Sequence, residues 1–93
     1  MKSEFQSEKE CYVCGTTQNL HSHHIFSGYA NRKLSEKYGM KVWLCGRHHN
    51  LSNDGVHFNK ELDLELKQMA QRYFEENHGG RKAFMQVFGR SYL

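Results

Sequence analysis

Ninety-three residues suffice for one compact domain and leave no room for a second core, so a staple beyond the hydrophobic interior is expected. Apolar residues make up 38% and aromatics 13%, at a mean hydropathy of −0.84, which excludes both a disordered chain and a membrane-embedded one. A formal charge of +3 suits a polyanionic partner without requiring one.

Residues 1–10 are polar and mixed in charge, and read as a flexible or loosely helical lead-in to a single domain over 11–93. They hold no apolar stretch of the signal-peptide kind, so the expected setting is the cytoplasm, without membrane contact. Cys11-Tyr12-Val13-Cys14-Gly15 reads as a tight knuckle. Asn19 to Phe26 reads as a strand that Ser27-Gly28 breaks. Asn31 to Tyr38 is a short helix with Gly39 as its stop, and Met40 to Leu44 is a strand running into Cys45. Gly46 to Gly55 is polar and turn-rich. Leu62, Leu66, Met69, Ala70, Tyr73 and Phe74 recur at helical spacing, which predicts an amphipathic helix over 59–77, ended by His78-Gly79-Gly80. Ala83, Phe84, Val87 and Phe88 mark a second short helix closed by Gly89. The aromatic residues of these helices and Trp43 read as core, and Glu61, Asp63 and Glu65 as a solvated face. The fold class is α+β.

Three cysteines cannot all pair within the chain, and in a reducing compartment their spacing favours a metal. Cys11-X-X-Cys14 and Cys45-X-X-His48 are two half-sites in which a two-residue gap lets both ligands of a pair meet one ion. Three thiolates and one imidazole complete a tetrahedral Zn²⁺ site. With four protein ligands it keeps no position for water, so its expected role is structural.

His23-His24 and His48-His49 are adjacent pairs. With His48 on zinc, His49 can point elsewhere, and strand alternation sends His23 and His24 to opposite faces. A hydrolytic phosphodiester site needs a base for water and a cation for the charge developing on phosphate. His24 as base with His23 and His49 as metal ligands meets both needs, and His57 is a candidate third ligand or a phosphate-facing group. His21 reads as exposed and incidental. Arg32, Lys33, Lys37, Lys41 and Arg47 cluster in sequence around this site, and Arg32, Arg47 and Lys33 are the candidates for contacts to a DNA backbone.

At these residues the chain resembles the His-Asn-His (HNH) endonucleases, whose core is the ββα-metal fold, also called the His-Me finger. The resemblance rests on Cys11-X-X-Cys14, His23-His24-Ile25 and Leu44-Cys45-Gly46-Arg47-His48-His49. It extends from Cys11 to about Tyr92 toward the short zinc-stapled HNH proteins of phages and prophages, which implies a host-cell cytoplasm. What it implies is metal-dependent nicking or cutting of DNA, with His24 as general base, His23 and His49 on the catalytic metal, and 5′-phosphate and 3′-hydroxyl products. The implied catalytic ion is Mg²⁺ or Mn²⁺, while an imidazole-rich site also suits Zn²⁺ or Ni²⁺. In many relatives an Asn shortly before the second knuckle orients the base. Residues 39–44 here are Gly-Met-Lys-Val-Trp-Leu, which leaves Asn31 as the first substitute and Asn50 as the next.

The alternative is a non-catalytic zinc module that binds nucleic acid or another protein. Such a module has no use for His23, His24 and His49 together. The sequence leaves open whether the chain is a monomer or a homodimer.

Overall fold

The computed structural model describes residues 3–51 and 59–93, the side chains of Asn50 and Leu51 excepted. The order is β1 (Leu20–His24), α1 (Tyr29–Tyr38), β2 (Lys41–Cys45), a π-helical turn (Arg47–Leu51), α2 (Lys60–Asn77) and α3 (Gly80–Phe88). The two strands form one antiparallel ladder pairing Leu20 with Cys45, His21 with Leu44, Ser22 with Trp43, His23 with Val42 and His24 with Lys41. Directly opposed residues share a face of such a ladder. His21 and His23 therefore stand with Leu44 and Val42, whereas His24 stands with Lys41 and Trp43.

β1 stops at His24 although its apolar stretch continues to Phe26. The reason is Ser35 on α1, fully buried, whose hydroxyl accepts from the Phe26 N–H and donates to the Phe26 carbonyl, both at 3.1 Å. With both backbone groups of Phe26 taken by a helix, the strand cannot extend. α1 begins at Tyr29, two residues before the expected start, because Gly28 at φ 94° reverses the chain and its carbonyl accepts from Arg32 N–H at 2.8 Å. The predicted stop at Gly39 is a left-handed cap at φ 68°. A Cβ there would also sit 2.8 Å from Cγ of the exposed Glu4 side chain, which would have to shift.

Residues 3–10, read from the sequence as part of a flexible or loosely helical lead-in, form no helix. They lie along β2 instead: Glu4 N–H donates to Gly39 O at 2.9 Å and Gln6 Oε1 accepts from Trp43 N–H at 2.7 Å. An edge strand presents unpaired backbone groups, and this segment satisfies some of them. Phe5 packs edge-on against Tyr73, with ring centroids 5.4 Å apart.

Helix α2 starts where Asn59 Oδ1 accepts from the N–H groups of Glu61 and Leu62, both at 3.1 Å, with Glu61 and Asp63 in its positive first turn. Leu66, Ala70 and Phe74, four residues apart, point inward and join Phe84 and Phe88 of α3 in one buried cluster with Ile25, Phe26, Met40, Val42 and Leu44. Phe26 packs on Phe88 at 4.5 Å between centroids and on Phe84 at 5.6 Å. Buried phenylalanines of this kind contribute roughly 1.5–3 kcal/mol each. Trp43, expected in the core, is half-buried, and the Lys9 ammonium lies 4.6 Å from its ring centre.

Gln71 is a buried polar residue of α2. Its amide donates to Glu75 Oε2 at 2.8 Å and Ser91 Oγ at 3.0 Å, and its Oε1 accepts from Tyr92 N–H at 2.7 Å. The chain after α3 is thereby tied back to α2. Among the described residues no helix is long and apolar enough to cross a membrane.

Candidate metal centre and histidine cleft

The first knuckle is closed by its own backbone: Gly15 N–H donates to Cys11 O and Cys11 N–H to Thr16 O, both at 2.8 Å. Gly15 takes φ 78°, a turn conformation that L side chains resist. Tyr12 N–H donates to Trp43 O at 2.8 Å, which fixes the knuckle against β2 and sets Cys11 and Cys14 beside the strand end that carries Cys45. The π-helical turn then returns His48 to the same point.

The ligand atoms of Cys11, Cys14, Cys45 and His48 all lie within 4.8 Å of one another. Cys14 Sγ is 3.8 Å from Cys45 Sγ, and His48 Nδ1 is 3.7 Å from Cys11 Sγ and 3.3 Å from Cys45 Sγ. Ligands at Zn–S of about 2.3 Å and Zn–N of about 2.0 Å on a tetrahedron stand roughly 3.8 Å apart as S···S and 3.5 Å as S···N. The cluster is thus compatible with a structural metal such as zinc, as the two half-sites predict.

Its electrostatics point the same way. Burial pushes the Cys11 thiol up, but backbone N–H groups of Cys14, Cys45 and Val13 outweigh it and hold the thiol at about 6. At Cys14 the Thr16 N–H pulls down, yet desolvation and the Cys11 and Cys45 sulfurs prevail and raise it. One thiolate forms readily and resists the next, a conflict that a divalent cation removes.

His49, next to His48 in sequence, belongs to a separate group of residues around a cleft. This cleft of about 470 Å³ is lined by Ser22, His23, His24, Ser27, Gly28, Tyr29, Arg32 and His49. His23 is buried, its Nε2 sealed from solvent, and its ring meets that of His49 at 5.4 Å between centroids. His24 also borders an adjoining hollow of about 400 Å³ with Tyr29, Arg32, Lys33 and Glu36. The structure therefore brings His23, His24, His49 and Arg32 together, with Lys33 next door. Arg47 is exposed on the π-helical turn and does not line the cleft. His57 lies outside the described residues.

Two histidines make contacts beyond those expected. His21, read from the sequence as exposed and incidental, is half-buried with its Nδ1 2.9 Å from His49 Nδ1. The signal was present, since i and i+2 on a strand share a face and His23 was already assigned to it. At His24, Nε2 meets Glu36 Oε2 at 2.8 Å. The second oxygen of Glu36 accepts from Lys41 Nζ at 2.8 Å. Lys41 first and His24 second hold the Glu36 carboxyl below its ordinary range. Lys41, one of the basic residues clustered in sequence around the site, is 3% exposed and committed to this ion pair.

Comparison of the chain with models of known protein families, with curated proteins and with solved structures returned no match.

Proposed function

We propose that this chain is a metal-dependent endonuclease of the HNH type that hydrolyses DNA phosphodiester bonds. The observation that carries the reading is the convergence of His23, His24, His49 and Arg32 on one cleft beside the Cys₃His cluster. The ladder and the π-helical turn, which together present these histidines, are read as the ββα-metal core. The Cys₃His site holds zinc and fixes the turn, and His48 and His49, adjacent in sequence, serve the two sites in turn.

In this mechanism Arg32 binds the DNA backbone at the cleft, with Lys33 and Arg47 as further contacts. His24 takes the proton of the attacking water as the new O–P bond forms. The P–O3′ bond breaks, leaving a 5′-phosphate, and the 3′ oxygen collects a proton to become a hydroxyl. His23 and His49, with His57 as a candidate third ligand, would hold Mg²⁺ or Mn²⁺, which supplies Lewis-acid stabilisation of the phosphate and the leaving oxygen.

Supercoiled plasmid incubated with the zinc-loaded protein in Mg²⁺, Mn²⁺, Ni²⁺ or EDTA tests the activity. Relaxed or linear product that requires an added divalent ion and carries 5′-phosphate ends is the expected result. An intact plasmid under every metal sinks the nuclease reading and turns the cleft into a binding surface.

A further inference from the structure

We propose that Glu36 is the positioning residue of the His24 base, anchored in turn by buried Lys41. This rests on the nuclease reading above. Three elements meet here: His24 ends β1, Lys41 opens β2 as its ladder partner, and Glu36 reaches both from the last turns of α1.

The two oxygens of the carboxylate divide their work. Oε1 accepts from Lys41 Nζ and Oε2 faces His24 Nε2, each at 2.8 Å. Lys41 is 3% exposed, so its ammonium has little room to move and needs an anionic partner where it lies. Glu36 itself is 60% exposed, and an isolated carboxylate at such a place would wander. Lys41 removes that freedom, and the fixed carboxylate then fixes the ring.

The consequence is chemical. A neutral imidazole has one N–H donor and one lone pair, and a carboxylate accepts but does not donate. Facing Glu36, Nε2 must carry the proton, which leaves the lone pair on Nδ1 as the atom that receives the proton of water. Lys41 also cancels the charge of Glu36, which lets a carboxylate stand beside a cleft that takes phosphate. The depressed carboxyl pKa agrees with a group that stays ionised throughout. A bare structural ion pair between Glu36 and Lys41 would join α1 to β2 and leave the His24 ring indifferent.

The test uses the zinc-loaded full chain with ¹⁵N-labelled histidine and its Glu36→Gln variant, with His24→Ala assigning the ring. In that variant the new side-chain amide, bonded to Lys41 through its oxygen, offers His24 only N–H groups. The wild type should show the Nε2–H tautomer, and Glu36→Gln should shift His24 toward Nδ1–H. In plasmid cleavage kcat should fall about 10–100-fold, the usual scale for a lost orienting partner, with KM and zinc content unchanged. If Glu36→Gln loses zinc, Glu36→Ala replaces it and should lose the hydrogen-bonded Nε2–H signal. An identical His24 ring spectrum in wild type and variant overturns the proposal, as does an unchanged kcat. A wild-type protein that cuts nothing refutes the nuclease reading instead, and the ring spectra still decide the Glu36 contact.

Discussion

His24 and Lys41 face each other across the antiparallel ladder, and one carboxylate, that of Glu36, lies 2.8 Å from each. A proposed base, a buried cation and a helix are thereby joined at the end of a strand. The arrangement makes acid sensitivity a direct probe of the contact. The Glu36 carboxyl is held below its ordinary value of 4.5, so its contribution to stability is full above that value and is lost as pH falls through the lower, folded one. Glu36→Gln should therefore be less stable than wild type at neutral pH and converge with it as pH drops beneath 4.5. Urea midpoints across a pH series measure the gap and its closure.

The metal cluster makes a larger prediction. Cys14→Ser removes one of four ligands and leaves two sulfurs and a ring without their closing partner. Bound zinc should fall well below one equivalent, and the melting temperature should drop on the scale expected where metal binding is folding free energy. A full zinc equivalent with an unchanged melting curve would contradict the Cys₃His assignment.

Gln71 holds the end of the chain to α2 through Ser91 and Tyr92. Gln71→Leu keeps the volume but strips the Tyr92 N–H of its acceptor. The expected loss is about 1–3 kcal/mol, read by denaturant unfolding, with zinc content untouched.

Arg32 lines both hollows beside His24. Removing one phosphate contact should weaken DNA binding uniformly across sequences and reduce the slope of log K against log salt by about 1. Arg32→Ala, titrated with a labelled duplex at several salt concentrations, checks this. An unchanged slope places Arg32 outside the DNA contact.

Much of this architecture is legible in the sequence because it is local. Cys11-X-X-Cys14 and Cys45-X-X-His48 announce a common cluster by spacing alone, and Leu66, Ala70 and Phe74 give α2 by their period. Gly39 marks the end of α1 for a reason confined to one φ angle. What sequence misses depends on how elements cross. Ser35 capturing Phe26, Gln6 covering Trp43 and Glu36 reaching His24 join residues from different elements, through side chains with many other available partners. No periodicity records which of them will meet. His21 is an intermediate case, since its face followed from that of His23 while its contact with His49 required the turn after β2.

Whether His24 acts on DNA or merely lines a cleft is decided most directly by plasmid cleavage with wild type and His24→Ala. Both proteins are first confirmed to carry one zinc equivalent and to melt alike. Metal-dependent cleavage by the wild type is expected, with a loss of at least about 100-fold in the variant, within the range general base catalysis supplies. Equal cleavage by both proteins would contradict a catalytic His24.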